Sequence, residues 1–287
     1  MEKILVIGKD GMLGSELYER LRNSGKYEVF ETTIETLDIC NLDAVRNKVN
    51  DIMPKYIINC AAYTNVDGCE KNFELANNVN GVAVGNIATC AKEVGATLIH
   101  ISTDYVFDGK LPTNEVYTEN MEVGPVSAYG KTKLLGEENA KKAEKYYILR
   151  TAWLYGHNGK NFLKTMVKLS EGRDYVTVVC DQHGSPTTTT SLCEIIEQIL
   201  EKNPEYGIYH STNEGFTTWA EFTKMIYEIL GIKTEVKFIT SEEYKEMFPE
   251  SSDRPKNSML SKEKLHKIGI YPKTIKESLE DYLKGGI

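Results

Sequence analysis

The residues that decide the fold stand at the start of the chain: Lys3-Ile4-Leu5-Val6-Ile7-Gly8-Lys9-Asp10-Gly11-Met12-Leu13-Gly14. The apolar run from Ile4 to Ile7 is typical of a strand that is buried in a parallel sheet. A turn with three glycines follows at once, and the residues after it carry apolar side chains at helical spacing. Strand, glycine turn and helix in this order are the context in which a glycine motif binds a dinucleotide.

We expect each glycine of this turn to have its own task. Gly8 lets the chain turn, Gly11 lets backbone N–H groups approach a pyrophosphate, and Gly14 lets the helix pack closely. The helix N-terminus favours the negative charge of the diphosphate. The spacing is G-x-x-G-x-x-G rather than the standard G-x-G-x-x-G. We therefore predict cofactor contacts at Gly8, Gly11 and Gly14.

The pattern along the rest of the chain predicts an α/β fold in two parts. Strands alternate with helices up to about residue 155, which predicts a Rossmann-type, doubly wound parallel sheet. Beyond it we expect a smaller, mostly helical C-terminal part that binds the substrate. Its predicted helices and strands lie near 161–171, 189–201, 219–230 and 274–284, and near 175–180, 207–210 and 235–239. We place the domain boundary between 1–155 and 156–287.

The end of the predicted second strand leaves the choice between NADPH and NADH open. Thr32-Thr33 stands where NAD-selective sites usually carry an acid for the ribose 2′-hydroxyl. The sequence offers no arginine there to grip a 2′-phosphate either. Asp38 precedes a helix that we expect to begin near Asn41. It is a candidate for the adenine end of the cofactor, and its pattern fits a simple acid at a helix approach equally well.

A candidate acid–base site follows another predicted strand, which ends in Ser102-Thr103-Asp104-Tyr105. Tyr129 and Lys133 come later in a segment of helical composition, four residues apart, so their side chains share one helix face. An ammonium beside a phenol lowers the phenol pKa from about 10. A phenol tuned in this way exchanges protons near neutral pH. This spacing also occurs in ordinary solvated pairs, and the dinucleotide motif upstream is what favours the catalytic interpretation.

The composition argues against several classes of function. The formal net charge of -8 over 287 residues provides no basic surface for nucleic acid. Six cysteines are scattered without a C-x-x-C, which is typical of reduced thiols rather than of a zinc site. The apolar run from Ile4 to Ile7 is too short for a signal peptide or a membrane span. We therefore expect a cytoplasmic protein that binds neither nucleic acid nor membranes.

Taken together, the motifs resemble those of the extended short-chain dehydrogenase/reductases. The resemblance rests on the glycine turn, on the run S-T-D-Y-V-F-D-G from Ser102 to Gly109, and on Tyr129 with Lys133. More narrowly, the chain is similar to the dTDP-4-dehydrorhamnose reductase family over nearly its whole length. The S-T-D-Y-V-F-D-G run is specific, whereas the glycines and the Y-x-x-x-K pair are shared by the superfamily. The further matching segments are Asn59 to Asp67, Arg150 to Gly156, Asp181 to Thr187 and Arg254 to Ser258.

The resemblance implies an enzyme that uses NADPH or NADH to reduce the C4 keto group of dTDP-4-dehydro-L-rhamnose to dTDP-L-rhamnose. Tyr129 would donate the proton, Lys133 would lower its pKa and hold the nicotinamide ribose, and Thr103 would supply a second hydroxyl. The implied cofactor contacts beyond the three glycines are Met12, Leu13, Asp38, Ile39, Ala61, Ala62, Tyr63, Thr64, Tyr129 and Lys133. The implied substrate contacts are Val66, Thr103, Asp104, Tyr105 and Trp153. Arg254 is a further candidate on its own chemistry, because it suits either a bidentate phosphate contact or a surface ion pair.

Some relatives dimerise through a divalent metal that carboxylates hold. Glu16 matches one of those positions, but Thr190 stands where another carboxylate would be. We therefore predict no metal, and the resemblance leaves a monomer and a homodimer open.

Other functions remain to be weighed against the reductase. A different nucleotide-sugar 4-ketoreductase shares every motif named above. An epimerase or a 4,6-dehydratase shares the fold, but a dehydratase would want a carboxylate pair after Thr103, where the chain has Asp104-Tyr105. A non-catalytic, NADP-binding regulatory subunit, like the β-subunit of methionine adenosyltransferase, would not need an intact Tyr129 and Lys133.

Overall fold

The computed structural model describes residues 1–286, which form twelve strands and twelve α-helices. The strands are β1 (Glu2–Ile7), β2 (Tyr27–Thr32), β3 (Tyr56–Asn59), β4 (Thr97–Thr103), β5 (Tyr146–Thr151), β6 (Leu154–Tyr155), β7 (Tyr175–Val179), β8 (His183–Gly184), β9 (Thr187–Thr188), β10 (Gly207–His210), β11 (Thr217–Thr218) and β12 (Glu235–Ile239). The helices are α1 (Met12–Asn23), α2 (Leu42–Ile52), α3 (Val66–Lys71), α4 (Phe73–Asn77), α5 (Ala83–Val94), α6 (Ala128–Ala140), α7 (Phe162–Ser170), α8 (Thr189–Lys202), α9 (Trp219–Leu230), α10 (Ser241–Met247), α11 (Glu263–Lys267) and α12 (Ile275–Lys284). A π-helix, Asn78–Val82, joins α4 to α5.

Six parallel strands form the central sheet, in the order β10-β5-β4-β3-β1-β2. The chain moves from β1 to β2 on one side and then to β3 on the other, so the strand order reverses between β1 and β3. In open α/β sheets, ligands bind at such a point, beyond the carboxyl ends of the strands. The predicted Rossmann-type sheet is confirmed, and the glycine turn after β1 lies at this edge.

Helices cover both faces of the sheet because the central strands are apolar on both sides. Ile4 and Val6 of β1 pack with α1 and α8, whereas Leu5 and Ile7 pack with α2 and α5. All four side chains are buried. Such continuous apolar strands are typical of a parallel sheet between two helical layers, and this arrangement holds the carboxyl edge in a fixed position.

A second hydrophobic core lies beside the sheet, around the parallel pair β7–β12 and helices α7, α9 and α12. The predicted helices and strands of this part are confirmed to within one or two residues. Two of its segments return to the sheet layer, since β10 pairs with β5 and α8 packs on α1. A domain boundary at residue 155 stays a prediction. Within residues 1–286, no helix combines the length and the apolar character that a membrane span requires.

Candidate active site

The glycine turn between β1 and α1 forms a tight cradle. Gly8 has a φ of +83°, and a Cβ there would lie 2.8 Å from the backbone nitrogen of Ala61. A Cβ at Gly14 would lie 2.1 Å from the carbonyl oxygen of Gly8, so α1 can begin this close to β1 only with glycine. No side chain caps the helix at Gly11, its N-cap residue. The first N–H groups of α1 are thus open to an anion, and the turn fits a dinucleotide diphosphate.

The residues predicted for the adenine end lie just before α2. Asp38 is exposed, and its Oδ1 accepts a hydrogen bond from the Cys40 backbone at 2.9 Å. Ile39 is buried in the core between the sheet and α2, and its carbonyl accepts from Asn86 Nδ2 at 3.0 Å. Asp38 is therefore open to a ligand, whereas Ile39 can contribute little of its side chain. Both cofactor contacts stay predictions.

The segment Ala61 to Thr64 follows β3 at the same edge, and Asn80 of the π-helix fixes its backbone. Asn80 accepts a hydrogen bond from Tyr63 N at 2.7 Å and donates one to Tyr63 O at 3.0 Å. The same side chain donates to Thr132 Oγ1 of α6 at 3.1 Å. Asn80 thus joins the predicted cofactor segment to the helix of Tyr129. Our sequence analysis missed Asn80, because its partner in α6 lies 52 residues away in the chain.

Strand β4 and helix α6 bring the predicted acid–base residues to one place. Thr103 ends β4, and its hydroxyl donates to Asp104 Oδ1 at 2.9 Å. Tyr129 lies in the first turn of α6, and Lys133 follows one turn later. Lys133 is buried, and its Nζ donates to the carbonyl oxygen of Ile101 at 2.6 Å, two residues before Thr103. The helix of Tyr129 is thereby attached directly to the strand of Thr103.

Burial dominates the pKa values in this cluster. Burial raises the pKa of Tyr129 above its ordinary value, the charge of Asp104 raises it further, and a hydrogen bond with Thr103 opposes the increase. Burial lowers the pKa of Lys133 to about 8. The expected lowering of the Tyr129 pKa by Lys133 is not seen, because burial dominates that pKa and the ammonium is directed to Ile101. At neutral pH, Tyr129 is therefore a protonated phenol, the form that a proton donor requires.

Arg254 and Tyr105 lie next to the acid site. Arg254 Nη2 is 3.8 Å from the carboxylate of Asp67 in α3, the helix that Val66 opens. Its Nε is buried and has no hydrogen-bond partner among residues 1–286. Burial raises the pKa of Tyr105 and the charge of Arg254 opposes that rise, while the Tyr105 and Tyr129 rings meet edge-on at 5.4 Å. A loose ion pair and an unpartnered Nε leave the guanidinium able to bind an anion.

A cavity of about 1000 Å³ lies beyond Arg254, between α7, β7 and α10. Neither Tyr129 nor Thr103 lines it, whereas Arg254 does, and the charge of Arg254 also acts on Tyr105 beside Tyr129. A ligand that passes Arg254 would have one end at Tyr129 and the other in the cavity. Our sequence analysis assigned none of its other lining residues, because separate segments supply them. Among these are the aromatic Phe162, Tyr175, Trp219, Tyr244 and Phe248, and the polar Arg173 and Gln182.

Trp153 is held in an unusual conformation beside this cavity. Its φ is +49°, which is rare for a residue other than glycine. Its ring stacks on Trp219, with ring centroids 3.6 Å apart. Gly184 makes the space, since a Cβ there would lie 2.6 Å from the Trp153 ring. Strain of this kind tends to persist at functional sites, which supports Trp153 as a contact residue. Trp219, the first residue of α9, thereby supports the Trp153 ring.

Glu16 is occupied by hydroxyl groups. Thr189 and Thr190 of α8 both donate to its carboxylate, Thr190 at 2.6 Å. Across residues 1–286, no group of three or more His, Cys, Asp or Glu side chains is arranged to hold a metal ion.

Comparison with known proteins identifies the family. A family model described as the RmlD substrate binding domain matches residues 1–286. The chain belongs to this family. The match includes both the central sheet and the second hydrophobic core, so the family assignment applies to both parts of the chain.

Individual relatives agree with this assignment of the RmlD family. The spore coat polysaccharide biosynthesis protein SpsK of Bacillus subtilis is 40% identical, over 99% of this chain and 98% of its own. The dTDP-4-dehydrorhamnose reductase of Aggregatibacter actinomycetemcomitans is 36% identical, over 98% of each chain. The crystal structure of dTDP-4-dehydrorhamnose reductase from Bacillus anthracis in complex with NADP is 37% identical and covers 100% of both chains, with a TM-score of 0.93. The predicted resemblance is confirmed, and the chain is an oxidoreductase.

Proposed function

We propose that the protein reduces the C4 keto group of dTDP-4-dehydro-L-rhamnose, with NADPH or NADH, to give dTDP-L-rhamnose. The observation that carries the proposal is the meeting of Thr103, Tyr129 and Lys133 beside a glycine turn that fits a dinucleotide. Two findings add support: the names of the RmlD relatives, and the NADP in the Bacillus anthracis structure.

The proposed chemistry is hydride transfer assisted by a proton donor. The glycine turn would hold the diphosphate of the dinucleotide, whose reduced nicotinamide would supply hydride for C4 of the sugar. Tyr129 donates its proton to the C4 oxygen as negative charge develops there. In the structure the Thr103 hydroxyl donates a hydrogen bond to Asp104. In the proposed reaction it rotates and donates to the C4 oxygen instead. In this proposal Lys133, whose ammonium donates to Ile101 in the structure, turns toward Tyr129 and favours the phenolate that forms there.

The rest of the proposed substrate extends away from Tyr129 past Arg254. The guanidinium binds the diphosphate through the donors that the ion pair with Asp67 leaves open. The nucleoside enters the cavity near Phe162 and Gln182, and Trp153 contacts the substrate between these two ends. In this proposal the enzyme works in the cytoplasm, as a monomer or a homodimer, without a metal.

A direct spectrophotometric assay tests the proposal. Purified protein is mixed with dTDP-4-dehydro-L-rhamnose and either NADPH or NADH, and the absorbance at 340 nm is followed. We expect oxidation of at least one coenzyme, with dTDP-L-rhamnose identified as the product by NMR. A product with the other configuration at C4 would point instead to a different 4-ketoreductase. No oxidation by a folded protein that binds NADPH would contradict the proposed reaction.

A further inference from the structure

A buried ion pair lies directly behind the acid site. Arg150 of β5 donates to both oxygens of Glu137 of α6, at 2.9 and 2.7 Å. Ser102 Oγ donates to the same carboxylate at 2.6 Å. The Glu137 and Arg150 side chains are only 1% and 3% exposed. Burying two charges is costly, so a pair of this kind is weak evidence for a contribution to stability and calls for another explanation.

The geometry ties this pair to the acid site. Lys133 and Glu137 are four residues apart in α6 and therefore lie on the same helix face. Lys133 binds the carbonyl of Ile101, and Glu137 binds the hydroxyl of Ser102, which is the next residue of β4. Thr103 follows directly. Two successive turns of α6 thus form hydrogen bonds with two successive residues of β4. Together these hydrogen bonds fix the position of Tyr129 relative to Thr103.

The ionisable groups around Lys133 also single out Glu137 as the group whose charge acts on it. Cys60, directly after β3, and His100 of β4 face it. Burial raises the pKa of Cys60 to about 12 and lowers that of His100, so both are neutral near pH 7. In α6 itself, Tyr129 is a neutral phenol. Burial lowers the pKa of Lys133, and Glu137 is the largest opposing influence. The charge of Arg150 is directed at Glu137 in the ion pair.

We infer that Glu137 is a positioning residue of the acid site: it fixes α6 against β4 and keeps the Lys133 side chain charged. The inference rests on the proposed function for its catalytic consequence. Its effect on Lys133 can be measured without any substrate. The expected direction is clear, because removing a nearby negative charge lowers the pKa of a buried ammonium.

Two variants separate this role from folding. Glu137→Gln keeps the size and an acceptor for Ser102 but removes the charge. Because it leaves Arg150 buried without a counterion, a second variant, Glu137→Met with Arg150→Met, replaces the whole pair by apolar side chains, an exchange that folded proteins often tolerate. The matched control is Glu197→Gln, which breaks the bidentate pair between Arg20 and Glu197 on α1 and α8.

Two measurements are made on each folded variant. NMR of the lysine side-chain nitrogens, with Lys133→Met for assignment, reports the pKa of Lys133 directly. The pH profile of kcat/KM for NADPH oxidation reports its catalytic consequence. We expect both Glu137 variants to lower the pKa of Lys133 and to shift the alkaline limb of the profile by about one pH unit toward lower pH. Glu197→Gln should leave both unchanged.

The possible outcomes are distinct. An unchanged pKa of Lys133 in the folded variants would make the pair purely structural and overturn the inference. Failure of both Glu137 variants to fold would do the same. The wild-type protein could fail to reduce the sugar while the Glu137 variants still show the predicted lowering of the Lys133 pKa by NMR. That result would contradict the proposed function and leave the effect of Glu137 on Lys133 standing.

Discussion

At the scale of single residues, burial acts in different directions on three ionisable groups of the acid site. It raises the pKa of Tyr129, lowers that of Lys133 to about 8, and raises that of Asp104 to about 6. The phenol therefore keeps its proton, the ammonium is close to losing its own, and the carboxylate is held in an unfavourable charged state at neutral pH. The protonated phenol favours proton donation, whereas the buried charge of Asp104 lowers the stability of the folded protein.

Replacement of Tyr129 by Phe should separate binding from chemistry. We expect the variant to fold and to bind NADPH, because the hydroxyl is the only group lost. Turnover should fall by roughly 10²–10⁴-fold, the usual contribution of a positioned acid. The measurement is kcat, with NADPH affinity by fluorescence. The control is Tyr117→Phe, which removes a hydroxyl bonded to Asp108 outside the site and should leave turnover nearly unchanged. Nearly full activity in Tyr129→Phe would remove Tyr129 from this role.

The carboxyl of Asp104 predicts a pH-dependent gain in stability. Folded protein holds this proton up to about pH 6, and the unfolded chain only to about 3.8, so ionisation favours unfolding at neutral pH. Asp104→Asn should raise the free energy of unfolding by about 1–3 kcal/mol above pH 7. The gain should shrink as the pH falls through 6 and vanish below 4, as denaturation at several pH values will test.

The control for this prediction is Asp108→Asn, which should change stability in the opposite direction. A hydrogen bond from the Lys110 backbone lowers the pKa of Asp108, so its charged form favours the folded state. Asp108→Asn should therefore cost stability at neutral pH and lose that effect in acid. Equal effects of the two variants at every pH would contradict the assigned pKa shifts.

At the scale of elements, the sequence predicted the parts whose signal is local. The strand, glycine turn and helix at the N-terminus are encoded within twelve consecutive residues, Lys3 to Gly14, and the structure has them as expected. The spacing of Tyr129 and Lys133 likewise predicted one helix face. The contacts that fix this helix were missed, because Asn80 and Glu137 act on partners that are distant in the chain. These contacts depend on the tertiary structure, which the local sequence pattern does not reveal.

Replacement of Gly14 by Ala tests the cradle as an element. Its Cβ would lie 2.1 Å from the Gly8 carbonyl, so α1 must move away from β1. We expect a loss of roughly 1–3 kcal/mol in stability, and NADPH binding weakened by about tenfold or more. The control is Gly124→Ala, whose Cβ would meet its nearest neighbour, Asp108, at an ordinary 3.6 Å. Thermal unfolding and NADPH titration of both variants provide the test, and wild-type NADPH affinity in Gly14→Ala would contradict this account of the turn.

At the scale of the whole molecule, the sheet supplies the acid site and the second core supplies the adjoining cavity. The fold class followed from the alternation of strands and helices, which is visible along the chain. The cavity did not, because α7, β7, α10 and the segment near Arg254 come together only through packing. For the same reason, the stacking of Trp219 on Trp153 could not be predicted from the sequence.

Arg254 joins these two parts, and its removal should act on binding more than on chemistry. For Arg254→Ala we expect KM for the nucleotide sugar to rise about 10–100-fold, the usual cost of losing hydrogen bonds to a charged group, with a smaller change in kcat. The control is Lys256→Ala, which lines the same cavity but is paired with Glu242 at 2.7 Å. Steady-state kinetics of both variants make the comparison. Equal effects of the two would argue against a phosphate contact at Arg254.

In the proposed reaction, hydride reaches C4 of the sugar while Tyr129 protonates the oxygen. The most direct measurement uses NADPH carrying deuterium at both C4 positions of the nicotinamide, with NMR analysis of the sugar product. The account predicts one deuterium at C4 of dTDP-L-rhamnose from the wild-type protein, and the same position labelled, far more slowly, by Tyr129→Phe. Oxidation of the labelled coenzyme without deuterium at C4 would contradict it.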